Sequence, residues 1–272
     1  MENPFAQHTS GRIVLLDVGG SFIKCSDGRE IPVDSDGSRD GIAASFREAV
    51  GGAAAGVGVA MPGPFDYEKG IFLMRHKFAA VYGESFRDVA GIPEDVPVGY
   101  IHDVNAALRG AIETDPSLRE GTVAMMTLGT GLGFTVAENG RIAVDAEGAP
   151  KYDLWNMPYG DSILEDYISR RGIRNRYKDG SVDVKELSAM ARRGNINAAA
   201  AFRNAGADLS YGALPLLEEL GVRKVLFGGQ IARSLDLFEI DFGDIVVTYC
   251  KDFSGAVMRG AEAALRDAEG KA

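Results

Sequence analysis

The chain has 272 residues, of which 46% are hydrophobic and 25% charged, and a formal net charge of −10. This is the composition of a globular protein with one large domain or two modest lobes. Its acidic balance argues against general nucleic-acid binding, because an anionic surface repels phosphate backbones. Cys25, Cys250 and the histidines His8, His76 and His102 are too few and too scattered for a structural zinc cage. Few cysteines, and an opening segment without a signal-like apolar core, point to a reducing, cytoplasmic setting. No apolar run reaches the ~18 residues that a membrane-spanning helix needs.

Residues 13–18 read as a buried strand, Gly19-Gly20 as a tight turn and 22–25 as the return strand of a hairpin, with a third short strand at 31–33. Ile42, Phe46 and Ala49 have helical spacing within 41–50. Residues 55–60 read as the next strand, running into Met61-Pro62-Gly63-Pro64. Residues 98–101 are strand-like and end at His102-Asp103, where Asp103 is a natural N-cap for a helix over 104–112. The second half repeats the plan with a strand at 122–128, a glycine turn, a strand at 133–137 and Asn139-Gly140 as a hairpin turn. Helices are predicted over 162–171, 184–192 and 198–220. A strand at 224–227 ends in Gly228-Gly229, followed by a helical 231–235, a strand at 245–249 and an Ala-rich closing helix over 254–268.

The most informative features are the two glycine turns, Asp17-Val18-Gly19-Gly20-Ser21 and Leu128-Gly129-Thr130-Gly131-Leu132-Gly133. Each follows an apolar strand and carries a small hydroxyl residue. Without a Cβ in the way, backbone N–H groups of such turns can approach an anion closely. Two of them, one in each half, suggest a phosphate chain and hence a nucleotide-dependent phosphotransferase. Either turn alone reads equally well as an ordinary tight hairpin. Lys24 reads as a partly exposed strand residue.

Taken in order, these pieces resemble the ROK (repressor, open reading frame, kinase) sugar kinases of the actin/hexokinase-like ATPase superfamily. The resemblance spans almost the whole chain. Asp17 to Lys24 resembles the first phosphate motif, with Ser21 for threonine. Gly56 to Asp66, with Pro62-Gly63-Pro64, is similar to the family's G-x-G-x-P-G-P-x-D segment. His102-Asp103-Val104-Asn105-Ala106-Ala107 matches most of N-D-A-N-A-A. Gly129 to Gly133 resembles the second phosphate motif, and Gly228-Gly229-Gln230-Ile231-Ala232 the adenosine-side segment.

The resemblance implies an α/β chain with the two-lobed actin/hexokinase-like (ribonuclease H-like) fold and a mixed sheet in each lobe. The first lobe would be 1–113, completed by the C-terminal helix 255–272, and the second 114–254. It implies Asp103 as the base that accepts the sugar hydroxyl proton. Asp17, Gly19, Gly20, Ser21, Gly129, Thr130, Gly131, Gly228 and Gly229 would lie on ATP, with Mg²⁺ near Asp17. Gly63, His102 and Glu165 would lie on sugar. The plainer readings are an N-cap for Asp103, a strand-to-helix turn for Gly228-Gly229 and an exposed helix carboxylate for Glu165. A homodimer is compatible with the resemblance; no metal is expected beyond nucleotide-borne Mg²⁺.

The sequence departs from the family where a G-E-x-G-H segment and a zinc-binding cysteine cluster are usual. Tyr152 and Trp155 stand in the places of that Glu and His. By resemblance Tyr152 and Trp155 would then face sugar; the alternatives are a slipped register in which Glu147 or Asp153 supplies the carboxylate and, separately, a Trp155 that is merely core. A transcriptional regulator is disfavoured by the acidic charge and the short stretch before the first strand. A catalytically weak sugar sensor is the remaining alternative to the kinase.

Overall fold

The structure is a computed structural model and describes residues 12–52 and 54–270. The opening segment read for a leader, with His8, lies outside the described residues, as do the last two positions of the closing helix. In chain order the elements are β1 (Arg12–Val18), β2 (Phe22–Cys25), β3 (Glu30–Pro32), α1 (Arg39–Val50), β4 (Ala54–Met61), β5 (Phe65–Asp66), β6 (Ile71–Phe72), α2 (Phe86–Ala90), β7 (Val98–His102) and α3 (Asp103–Thr114). Then come β8 (Thr122–Leu128), β9 (Leu132–Glu138), β10 (Arg141–Ile142), β11 (Pro158–Tyr159), β12 (Ser162–Ile163), α4 (Leu164–Ile168), α5 (Arg170–Asn175), α6 (Val184–Arg192), α7 (Ile196–Glu219), β13 (Val222–Gly228), β14 (Val246–Tyr249) and α8 (Phe253–Glu269).

The chain divides into two compact units. One holds the described residues up to Gly110 together with Val144–Ala149 and the stretch from Ser254; the other holds Ala111–Ala143 and Pro150–Phe253. Each contains a mixed five-stranded sheet of the same design, β3-β2-β1-β4-β7 in the first and β10-β9-β8-β13-β14 in the second. In each, three consecutive strands pair antiparallel and the other two run parallel to the first of them. Asn139 and Gly140 both take positive φ, 50° and 80°, as the right-handed twist of a two-residue hairpin demands.

In the first unit α1 lays Ile42, Phe46 and Ala49 on the sheet, with Ser38 capping it by accepting the Gly41 N–H. Phe46 packs among Phe72, Phe78 and Phe86, ring centroids 5.9, 5.7 and 4.9 Å away. Each fully buried phenylalanine is worth roughly 1.5–3 kcal/mol of burial. Helix α8 closes this unit by an unusually near approach. A methyl on Gly260 would lie 2.1 Å from the Ala106 carbonyl oxygen of α3, and one on Gly110 only 1.9 Å from that of Ala256. In the second unit α7 buries Ala198, Ala201, Phe202, Ala205 and Leu209, and Asn195 caps it at Ala198 N.

Three predicted elements differ from what forms. The helix expected over 162–171 is broken: Ser162–Ile163 pairs with Pro158–Tyr159, and Ser169, extended at ψ 177°, separates α4 from α5. The Arg170 N–H is thereby free to donate to the Gly129 carbonyl, 2.9 Å away, so a tertiary bond outweighs helical continuity. The segment after Gly229 is a 3-10 turn, Ile231–Leu237, kinked at Ser234. Asp103 is the first residue of α3 and not a cap outside it; its carboxylate takes the adjacent Val104 N–H at 2.6 Å.

Candidate active site

Parallel pairing sets the geometry of the first unit. Asp17 on β1 lies opposite Ala60 on β4, and Met61 lies opposite His102 on β7. The carboxyl ends of β1, β4 and β7 therefore deliver Asp17 with the Gly19-Gly20 turn, Gly63 and His102-Asp103 to one edge of this sheet, where ligands of α/β sheets bind.

Asp103 keeps 43% of its side chain accessible. Crowding by protein pushes its pKa up, but His102, the Val104 N–H and the Lys77 charge outweigh this and hold it below the ordinary carboxylate range. Asp103 is thus ionised at neutral pH and open to a partner. His102 Nδ1 lies 2.9 Å from Asp103 Oδ1 and 3.3 Å from the Val104 N–H, which donates more closely, at 2.6 Å, to Oδ1. Facing an ionised carboxylate at the shorter distance, Nδ1 carries the imidazole proton and leaves Nε2 to accept a hydrogen bond. Beyond that edge comes Gly63, where a Cβ would sit 3.4 Å from Nε2. Tyr67 is buried beside them, ring centroids 5.7 Å from His102, and its hydroxyl donates to the Met61 carbonyl. Burial, then the charges of Asp103 and Asp145, raise the phenol well above its usual range, so it stays neutral.

Asp17 is mostly buried, its side chain 18% exposed, with Lys24 Nζ 3.4 Å from Oδ2. Burial raises its pKa; Lys24 opposes the shift and Asp103 adds to it. Lys24 is part-exposed as expected, yet engaged on Asp17. Above this carboxylate, the Gly19 N–H closes the hairpin on the Phe22 carbonyl at 2.9 Å. Ser21 is exposed. Because folding raises the Asp17 pKa, its charge weakens the fold above the folded pKa, and this penalty vanishes below the unfolded value. Asp17→Asn is therefore expected to melt higher than wild type at pH 7, with the gap closing toward acid, while nucleotide binding weakens. Thermal melts from pH 3 to 8 check the sign, and a lower melting point at pH 7 contradicts it.

Residues 144–149 join this unit too. The Tyr67 N–H donates to the Glu147 carbonyl, and Asn105 Nδ2 to that of Gly148 at 3.3 Å. Glu147, the alternative carboxylate, therefore belongs to the same unit as Asp103, whereas Tyr152, Asp153 and Trp155 belong to the other.

In the second unit the Gly129-Thr130-Gly131 turn follows β8, with Thr130 exposed. Its glycines are not equivalent. A Cβ on Gly129 would meet nothing within 4 Å, whereas one on Gly131 would sit 2.6 Å from Glu165 Oε2. Glu165 is neither an exposed helix carboxylate nor a free one, because Oε2 accepts the Leu132 N–H at 2.8 Å and braces the turn. The close fit at Gly228 and Gly229 is satisfied inside the protein: a Cβ on Gly228 would lie 2.2 Å from the Phe253 ring, and Gly229, at φ 92°, would press on the Leu128 carbonyl at 2.5 Å. Of these, Gly129 alone has open space at its Cβ position, while its N–H donates to the Gly131 carbonyl at 3.1 Å and its own carbonyl accepts the Arg170 N–H. Tyr152 packs partly on the core of this unit. Trp155 is 45% exposed and is not core. Gly129→Val should fold normally and bind ATP at least about tenfold more weakly, a loss of roughly 1.4 kcal/mol, by calorimetry; unchanged affinity removes this turn from the nucleotide site.

Lys77, Tyr67 and Asn105 also lie at this edge, beyond the residues that the sequence motifs single out. Tyr67 directly follows the Pro64-Phe65-Asp66 segment and Asn105 lies within the Asp103 motif, so both were within reach. Lys77 has no motif signal. Among the described residues no cluster of His, Cys, Asp and Glu side chains could by itself hold a metal ion, and no helix is long and apolar enough to cross a membrane.

No protein-family model matches the chain, and no curated protein does. Solved structures do. A ROK family protein from Streptococcus pneumoniae TIGR4 in complex with sucrose is 18% identical, with a TM-score of 0.76, covering 96% of this chain and 99% of that one. A ROK family glucokinase from Streptomyces griseus in complex with glucose and AMPPNP is 20% identical, with a TM-score of 0.72, over 94% and 100%. A ROK family transcriptional regulator, a homologue of the E. coli MLC protein, is 15% identical, with a TM-score of 0.70, over 96% and 80%. At these identities the likeness shows the fold: the chain has the α/β fold of ROK family proteins, with a mixed sheet in each unit.

Proposed function

We propose that a chain with this fold and this edge is an ATP- and Mg²⁺-dependent sugar kinase, phosphorylating the C6 hydroxyl of a glucose-like or N-acetylhexosamine-like acceptor. Asp103 carries the reading. Phosphoryl transfer to an alcohol needs a carboxylate that takes the hydroxyl proton as the new O–P bond forms. Asp103 is ionised, accessible and oriented by His102 at 2.9 Å. His102, with its proton on Nδ1, offers Nε2 to a sugar hydroxyl beside Gly63. The backbone of the Gly19-Gly20-Ser21 turn and, in the other unit, the Gly129-Thr130-Gly131 turn are assigned to phosphoryl oxygens.

Asp17 fits a nucleotide-borne Mg²⁺, since it is a mostly buried carboxylate whose ionisation burial disfavours and a divalent cation would favour. Bound there, the ion would neutralise phosphoryl charge. Gly228 and Gly229 shape the end of β13 that we assign to adenosine. Tyr152, Trp155 and the second oxygen of Glu165 are assigned to sugar. The reading carries with it a cytoplasmic setting, no nucleic-acid partner and room for a homodimer.

Support comes from the fold shared with a glucokinase that holds glucose and AMPPNP. One observation favours a second reading, a weakly catalytic sugar sensor: aromatic Tyr152 and Trp155 stand where the family's Glu and His are usual, and a regulator has the same fold. ADP release over a panel of hexoses, amino sugars and N-acetylated sugars, with and without Mg²⁺, separates the two. Sugar-stimulated, Mg²⁺-dependent release establishes the kinase. Sugar binding with no release establishes the sensor.

A further inference from the structure

We propose that Lys77 is a phosphate-binding residue, gripping phosphoryl oxygens beside the Gly19-Gly20 turn; which phosphoryl group it grips rests on the kinase reading, while the anion site itself does not. Three observations place it there, all within the first unit.

The first is the backbone. Phe78, directly after Lys77, is left-handed at φ 52°, ψ 26°, a conformation that is unfavourable for a bulky residue and persists only where the surroundings enforce it. Its ring is fully buried, 5.7 Å from Phe46 and 5.8 Å from Phe72. Its N–H donates to the Ser35 carbonyl at 2.6 Å, and the Ser35 N–H donates to the Gly20 carbonyl at 3.2 Å. The loop is therefore tied to the glycine turn through Ser35.

The second is the side chain. A Cβ on Gly20 would lie 3.6 Å from Lys77 Cε and 3.7 Å from Cδ, so the stem runs along the turn and brings the ammonium to its vicinity. The Lys77 charge also helps hold Asp103 in its ionised form.

The third is elimination. The other cations nearby are engaged: Lys24 on Asp17, Lys69 on Asp66 and Arg75 over the Tyr82 ring at 3.9 Å. Among the described residues no hydrogen bond or ion pair takes the Lys77 ammonium. A compact point charge with three donors, beside a glycine turn, suits phosphoryl oxygens.

The test uses the full chain and inorganic tripolyphosphate, which needs neither sugar nor turnover. Lys77→Met keeps the stem and removes the charge. Calorimetry is expected to show about tenfold weaker tripolyphosphate binding in Lys77→Met, near-wild-type binding in Lys77→Arg and equal melting points. In wild type, saturating tripolyphosphate should protect the Lys77 amine from reductive methylation, read by mass spectrometry; this arm holds even if Lys77→Met does not fold. With a turned-over sugar, Lys77→Met should lower kcat by about 10²-fold, the scale of one lost transition-state donor, at unchanged sugar KM. Unchanged tripolyphosphate affinity in Lys77→Met, no protection of the amine, or a wild type that binds no tripolyphosphate each overturns the proposal. Absence of turnover with every sugar, alongside protection, sinks the kinase reading and leaves the anion site standing.

Discussion

Asp103→Asn is expected to lower sugar phosphorylation by about 10²–10⁴-fold, the usual cost of losing a general base, with ATP affinity nearly unchanged. The substitution is close to isosteric. The amide oxygen can still take the Val104 N–H, now 2.6 Å from Oδ1, so the start of α3 survives. What disappears is the capacity to accept the acceptor's proton, along with the charge that holds the His102 Nδ1–H at 2.9 Å. Folding lowers the Asp103 pKa, so its stabilising contribution is present above the unfolded carboxylate value and is lost as pH falls through the folded one. A modest loss of melting temperature at pH 7 that fades in acid is consistent with this. Rates and nucleotide titrations on the purified variant decide the matter. Wild-type turnover in Asp103→Asn sinks the base assignment. A large melting loss with equal losses of ATP binding and rate returns Asp103 to a structural role.

The largest expected effect on stability is at the crossing of α3 and α8. In an exposed helix Gly→Ala gains about 1 kcal/mol from propensity. At position 260 the added methyl would meet the Ala106 carbonyl oxygen at 2.1 Å, and backbone cannot swing aside as a side-chain tip can. Overpacking of this kind costs about 1–3 kcal/mol, occasionally more, so the clash outweighs propensity and Gly260→Ala should destabilise. Gly260→Val should do so further. At roughly 2–4 °C per kcal/mol for chains of this size, thermal melts resolve both. Gly52→Ala, where a Cβ meets nothing within 4 Å, is the control expected within about 0.5 kcal/mol of wild type. A Gly260→Ala variant as stable as that control would show that α8 has room to move.

What the sequence determines by itself is local. Alternating and continuous apolar runs mark the strands, because a pleated chain must bury one face or both. Asn139-Gly140 marks one hairpin, because such residues take its positive φ at low cost; Gly19-Gly20 marks the other, where a Cβ on Gly19 would crowd the Phe22 carbonyl at 3.0 Å. Asp103 stands where a strand hands over to a helix, a place that by itself reads as a cap; the resemblance of its motif is what marks it as a candidate base. Tertiary structure decides everything that depends on a distant neighbour. It breaks the helix expected at 162–171 so that the Arg170 N–H can reach the Gly129 carbonyl. It separates glycines that look alike, with Gly229 held by Leu128 and Gly129 facing open space. It turns Glu165 onto the Leu132 N–H and assigns 144–149 to the unit of Asp103. It also brings Lys77, from a loop without any motif, alongside Gly20. A residue's own chemistry and its near neighbours set the backbone it prefers, but contacts across the fold choose which side chains meet.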